Sequence, residues 1–157
     1  MGVARQLGEK VAGLDWAAIN DDALHWAKIG ILDTIGVTLA GSTQECTRIA
    51  ARTITARHPM NDDNGAALIF GSSHRTSALD AAFVNGVSAH ALDFDDVSTT
   101  LGGHPSAPLV PALIAISEEI GSVQPVSGRD LIVAYLAGYA TECAIARGAN
   151  FYHYEKG

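Results

Sequence analysis

Residues 20–41, NDDALHWAKIGILDTIGVTLAG, decide the fold class because their apolar side chains recur at a helical period. The recurring residues are Leu24, Ile31, Ile35 and Leu39. Their spacings of seven, four and four positions place them on one face of an α-helix. Asn20 predicts the N-cap, the two aspartates after it suit the positive end of the helix dipole, and Gly41 predicts the C-terminal stop. This stretch therefore predicts a long amphipathic helix.

Two glycines inside that helix, Gly30 and Gly36, predict close contacts with neighbouring helices. Each costs about 1 kcal/mol relative to alanine, so the helix depends on tertiary packing. Aromatic residues make up only 6% of the chain, which leaves few large side chains to anchor a core. We expect helices packed closely through small residues.

The rest of the chain predicts five further helices and therefore an all-α fold of roughly six. Their expected ranges are 3–14, 44–57, 78–92, 106–121 and 127–147. A stop near Pro59, a turn at 61–65 and a short extended segment at 66–70 separate the third helix from the fourth. Further caps are expected at Ser77, Ser106 and Ser127, and two of these serines are followed three residues later by an aspartate. The side chains expected to be mostly buried are Leu24, Ile31, Ile35, Val84, Leu113, Ile116, Leu131 and Tyr135.

Composition narrows the class of protein. The chain has 157 residues, a net charge of −7 and no cluster of Lys or Arg, which argues against nucleic acid or an anionic membrane as partner. Its N-terminus lacks the apolar region of a signal peptide, so we expect a cytoplasmic protein. The two cysteines, Cys46 and Cys143, form no C-x-x-C pair, and we expect them to be buried small residues.

One dense group of reactive side chains stands out. HALDFDD at 90–96 and HPS at 104–106 place three carboxylates and two imidazoles within fifteen positions, across a helix end and a glycine-bearing loop. Histidine has a reference pKa near ~6.5, so an imidazole here can give or take a proton, and a neighbouring carboxylate can orient it. The group therefore indicates a proton-transfer site.

Three other interpretations of this group stay open on the residues alone. Asp93, Asp95 and Asp96 could supply oxygen ligands to a divalent metal, although their spacing matches no EF-hand. The same D-x-D-D pattern is used as an acid by terpene cyclases, which also need an aromatic lining. Finally, the aspartates could cap helix ends, with His90 packed in the core.

Several motifs in order resemble the MmgE/PrpD family, the group of 2-methylcitrate dehydratase and cis-aconitate decarboxylase. The central ones are DAAFVNG at 80–86, AHALDFDD at 89–96 and GHPS at 103–106. DTIG at 33–36, GRDL at 128–131 and AGY at 137–139 agree with it. The resemblance covers the chain from about Ala4 onward.

The resemblance implies a helical domain that, in complete members, is joined to a smaller α+β lid. Members are dehydratases, decarboxylases and epimerases that act on small polycarboxylates, use no metal or organic cofactor and usually form homodimers. The family's substrate-facing aspartate and histidine correspond to Asp93 and His104. The resemblance thus assigns these two as catalytic residues, with no cofactor-binding and no metal-binding residue.

The resemblance also implies that residues 1–157 are the N-terminal part of an incomplete domain. Members continue into an aromatic–histidine segment, lysines, a tyrosine and the lid, and the aromatic run at 151–154 resembles the middle of a chain. We therefore expect a fragment of a 2-methylcitrate dehydratase-like lyase, inactive or weak alone, in which His104 is the base or acid and Asp93 orients it or acts as the partner acid. The alternatives are an epimerase or isomerase, half of a split enzyme with a complementary chain, and a non-catalytic helical interaction module.

Overall fold

The chain folds into six α-helices and one small hairpin in a computed structural model that describes residues 2–57, 65–121 and 123–149. The helices are α1 Val3–Ala12, α2 Asp21–Gly41, α3 Glu45–Arg57, α4 Ala78–His90, α5 Ser106–Gly121 and α6 Gly128–Ala149, with a single 3-10 turn at Trp16–Ala18. Two-residue strands, β1 Ala67–Leu68 and β2 Arg75–Thr76, pair antiparallel. The expected all-α class is confirmed.

Side-chain caps explain why most helices begin where they do. The Asn20 side chain accepts a hydrogen bond from the Ala23 amide at 2.8 Å, and the Ser77 hydroxyl accepts one from the Asp80 amide at 3.2 Å. Ser127 and Asp130 hydrogen-bond each other's backbone amides, as a capping box does. The expected cap at Ser106 is wrong, because this residue is the first of α5 and its hydroxyl donates to Asp96 instead.

The remaining boundaries differ by about a turn or less from those expected. The expected ends of α1 and α4 are each two residues too late. The extended segment at 66–70 is confirmed as β1, held by the Asn85 side chain, which bonds Leu68 O and Phe70 N at 2.9 Å each. Its partner β2 was missed. Pro59 and positions 61–64 of the expected turn lie outside the described residues.

Small residues let the helices approach closely, as expected. A Cβ added to Gly30 would collide with the Tyr135 side chain of α6, and one added to Gly41 would collide with the Ser88 carbonyl of α4. Gly41 is thus a contact residue inside α2 rather than the expected stop after it. The expected contact at Gly36 is wrong, because nothing lies within 4 Å of its added Cβ.

Burial follows the expected list only in part. Val84 and Tyr135 are fully buried, and Ile116 is 48% exposed, so its expected burial is wrong. The other expected core residues are partly buried: Leu24, Ile31, Ile35, Leu113 and Leu131. Cys46 is exposed, also contrary to expectation. Across the described ranges no helix combines the length and apolarity needed to cross a membrane.

Candidate active site

The connection between α4 and α5 folds back on itself and brings both ends of the reactive group together. Ser98 and Gly103 form an antiparallel bridge, with a hydrogen bond of 2.9 Å from the Ser98 amide to the Gly103 carbonyl. Gly102 closes the turn at a φ of 71°, a conformation that glycine adopts without strain. Asp93 also has a positive φ, 54°, which is uncommon for a residue with a side chain. The folded loop returns His104 to the end of α4.

His104 lies between two carboxylates. Its Nε2 is 3.5 Å from Asp93 Oδ1, and its Nδ1 is 3.3 Å from Asp95 Oδ2 and 3.4 Å from the Asp95 carbonyl oxygen. Asp93 thus lies beside His104, as its expected role of orienting the imidazole requires. The Asp93 side chain is 76% exposed whereas that of Asp95 is 0% exposed, so one carboxylate faces solvent and the other faces the interior.

Asp95 holds a second imidazole as well. His90, the last residue of α4, places Nδ1 2.9 Å from Asp95 Oδ1, and the His90 and His104 rings meet edge to face with centroids 4.5 Å apart. The interpretation of His90 as a packed core residue is wrong, because its side chain is 54% exposed. A carboxylate at Nδ1 favours the tautomer with the proton on that nitrogen, which leaves Nε2 as the acceptor.

The sequence places Asp95 and His90 in the reactive group but assigns neither of them a catalytic role. Their spacing of five positions carried a signal, because a residue just past the end of a helix can turn back onto its last turn. That signal was ambiguous, since all three aspartates of D-F-D-D lie within six positions of His90. Only the path of the loop distinguishes the buried partner from the exposed one.

Asp96 points the other way and anchors the loop to the scaffold. Its carboxylate accepts hydrogen bonds from the Ser106 amide at 3.0 Å and the Ser106 hydroxyl at 2.6 Å, at the start of α5, where the helix dipole favours negative charge. The Ser106 hydroxyl also lies 2.7 Å from the Tyr135 hydroxyl of α6. This chain of contacts ties the site loop to two helices.

Glu142 of α6 lies close enough to Asp96 and Tyr135 for their charges to interact. Burial, and then the negative charge of Asp96, raise the pKa of Glu142 to about 7. Its Oε2 is buried and has no hydrogen-bond partner among the described residues. Burial likewise raises the pKa of Tyr135, against the opposing effect of its hydrogen bond with Ser106.

Two cavities border the loop. The first, about 470 Å³, is an open groove between α4 and the start of α5, lined by Ala82, Phe83, Gly86, Val87, His90, His104, Ala107 and Pro108. The second, about 420 Å³, lies between α2 and α6 and contains Asp33, Asp96 and Tyr135 in its wall. Only the first reaches both imidazoles, so it is the better candidate for a site of chemistry.

The same group has the composition of a metal site. One ligand atom from each of His90, Asp93, Asp95 and His104 lies within 4.8 Å of the others. The set differs from the aspartates considered from sequence, because Asp96 is engaged with Ser106 and two imidazoles take part.

Comparison with known proteins adds a family context. Residues 5–156 match the family model described as the MmgE/PrpD N-terminal domain. The chain is 31% identical over 137 residues to the cis-aconitate decarboxylases of Homo sapiens and Mus musculus, covering 87% of this chain and 27% of each relative. It is 31% identical over 142 residues to the cis-aconitate decarboxylase-like protein oryM of Aspergillus oryzae, covering 88% and 29%. The chain thus spans less than a third of the length of these relatives.

Proposed function

Because the chain belongs to the MmgE/PrpD family, we propose that it carries the proton-transfer part of a cofactor-independent lyase that acts on a small polycarboxylate. The observation that supports this most directly is His104 with a carboxylate at each ring nitrogen, at 3.3 Å and 3.5 Å. The three relatives named as cis-aconitate decarboxylases or decarboxylase-like support a tricarboxylate such as cis-aconitate, and a 2-methylcitrate-like substrate is the other candidate.

In this proposal His104 moves the proton. Asp95 keeps a proton on Nδ1, so Nε2 is free to take a proton from the carbon beside a carboxylate or, once protonated, to give one to the carbanion that loss of CO2 leaves. Asp93 lies 3.5 Å from Nε2 and is exposed, so it can exchange that proton with His104 and with the substrate. Asp95 is buried against the His104 imidazole and would fix the orientation of that ring.

Charge stabilisation is the part of the reaction that the described residues do not supply. A carbanion next to a carboxylate needs nearby positive charge. Within 2–57, 65–121 and 123–149, the carboxylates of Asp93 and Asp95 lie against imidazoles and pair with no Lys or Arg side chain. Low or absent turnover by these residues alone is therefore expected, since members of a catalytic unit act together.

The test measures binding and turnover in one sample. The purified 157-residue chain is incubated in D2O, with EDTA, with cis-aconitate or 2-methylcitrate, and followed by 1H NMR for product, for deuterium incorporation and for shifts of the imidazole signals. We expect shifts of the His104 ring signals that saturate with ligand, and any turnover or exchange to be lost in His104→Ala and reduced in Asp93→Asn.

The matched control is His74→Ala, which removes an exposed imidazole outside the site. It should leave binding and exchange unchanged. The proposal would be wrong if neither acid shifted the His104 signals and the wild-type chain showed no exchange. It would also be wrong if His104→Ala kept the full activity of the wild-type chain.

A second candidate, a non-catalytic helical interaction module, is favoured by one observation. Exposed apolar side chains lie on α2, where Trp26 is 66% and Leu32 71% exposed. Apolar surface of this kind marks association sites. Binding of another protein with no response to either acid would favour this candidate.

A further inference from the structure

We propose that His90, Asp93, Asp95 and His104 bind one divalent transition-metal ion of the Zn2+ class. The same side chains serve the proposed acid–base chemistry, but the ion would bind to them without being a cofactor of that reaction. Binding to the cluster does not require that the chain be an enzyme.

Two of the distances within the cluster are close to those that a bound zinc ion imposes. Zn–N and Zn–O bonds of about 2.0–2.2 Å in a tetrahedron put neighbouring ligand atoms about 3.3 Å apart. In the structure Asp95 Oδ1 lies 2.9 Å from His90 Nδ1, and His104 Nε2 lies 3.5 Å from Asp93 Oδ1. One ligand atom from each residue falls within 4.8 Å of the other three. Small rotations of exposed side chains, together with transfer of the proton of His90 from Nδ1 to Nε2, would close the set.

The parts of the cluster that must move are free to do so. The Asp93 side chain is 76% and the His90 side chain 54% exposed, so both can rotate without disturbing the core. Asp95 is fixed and buried, and would act as the rigid member. A site with one anchored and several adjustable ligands can form at little structural cost.

Donor chemistry selects the ion. Two imidazole nitrogens and two carboxylate oxygens suit Zn2+, Co2+ or Ni2+, whereas Mg2+ and Ca2+ prefer sites made entirely of oxygen. Two carboxylates with neutral imidazoles carry a charge of about −2, and no Lys or Arg of the described residues pairs with them. A divalent cation would neutralise the cluster.

One consequence rests on the proposed function. An ion bound to the ring nitrogen of His104 takes the lone pair that proton transfer needs, so Zn2+ should inhibit any activity of this site. The binding test below contains no organic acid, and its outcome is therefore independent of whether the proposed function is right.

The experiment titrates the full chain in a Cys46→Ser background, because an exposed thiol is itself a zinc ligand. ZnSO4 is added in competition with a chromophoric zinc indicator, and CoCl2 is added separately to record visible absorption. We expect one tight Zn2+ per chain, the intense absorption of tetrahedral Co2+, and no competition by Mg2+.

Three variants locate the ion. His90→Ala, His104→Ala and Asp93→Asn should each weaken Zn2+ binding at least about tenfold, while His74→Ala should not change it. Circular dichroism checks that each variant is folded, and Asp93→Asn, at an exposed side chain, is the one least able to disturb the fold. Tight binding that survives His90→Ala with His104→Ala, or no tight binding to the wild-type cluster, would overturn the proposal.

Discussion

Asp95 and Asp96 are neighbours in sequence and differ in almost everything else. Asp95 turns its fully buried carboxylate toward two imidazoles that reach solvent. Asp96 turns toward Ser106 and, through it, toward Tyr135 in the interior. The two adjacent side chains face opposite sides of the loop, so one carboxylate can organise a site while the next attaches that site to the scaffold. The difference shows that a dense acidic motif need not be a single functional unit.

The largest effect on stability is expected from Asp96→Ala. The substitution removes two hydrogen bonds to Ser106 and leaves the start of α5 without its carboxylate, which should cost about 2–3 kcal/mol. Urea unfolding measures the change. Asp33→Ala is the control. It removes an exposed aspartate that lines the cavity between α2 and α6 together with Asp96, and it should change stability by less than about 0.5 kcal/mol. Equal losses in the two variants would mean that Asp96 does not anchor the loop.

Asp95→Asn should have a smaller effect on stability and a larger one on the site. An amide keeps the shape but offers one acceptor oxygen instead of two, so only one imidazole can keep its contact. We expect a loss of about 1 kcal/mol, together with a mixture of tautomers at His90 or His104 in 15N NMR spectra. If both rings keep the wild-type tautomer, Asp95 does not orient them.

Glu142→Gln tests the scaffold side through pH. Burial raises the pKa of Glu142 to about 7 from an ordinary 4.5, so the fold favours the protonated form. The stability this contributes is complete below pH 4.5 and is lost as pH rises through about 7. The glutamine variant should therefore melt higher than wild type at pH 8 and almost equally at pH 4.5. A melting difference independent of pH would mean that folding does not raise the pKa of Glu142.

The smallest effect on the fold, but a clear one on association, is expected from Leu32→Ser. Leu32 and Trp26 are exposed on α2, so the wild-type chain should self-associate at micromolar concentration through this helix. Light scattering should show a smaller species for Leu32→Ser. Leu79→Ser is the control, because Leu79 is 79% exposed on α4 instead. A monomeric wild-type chain would contradict this prediction.

Local features of the fold were predictable, and contacts between elements were not. The caps at Asn20, Ser77 and Ser127 were correct because each cap joins residues only three positions apart. Ser106 was misassigned because its partner, Asp96, lies ten positions away on a loop. Ile116 was misassigned because apolar spacing does not say which side of a nearly all-apolar helix meets a neighbour.

The candidate site divides in the same way. The motif identified the segment, and the resemblance selected Asp93 and His104 within it, which the loop then brought to 3.5 Å. The contact between His90 and Asp95, and with it their place beside His104, came only from the tertiary structure.

By itself, the sequence determined the helical class, the family and the segment that holds the reactive groups, because periodicity, caps and ordered motifs are properties of neighbouring positions. The tertiary structure decided which aspartate is buried beneath the imidazoles and which glycine admits another helix, as at Gly41 against Ser88. Those outcomes depend on distances between segments far apart in sequence. Such distances are set by packing and loop path, which no local pattern encodes.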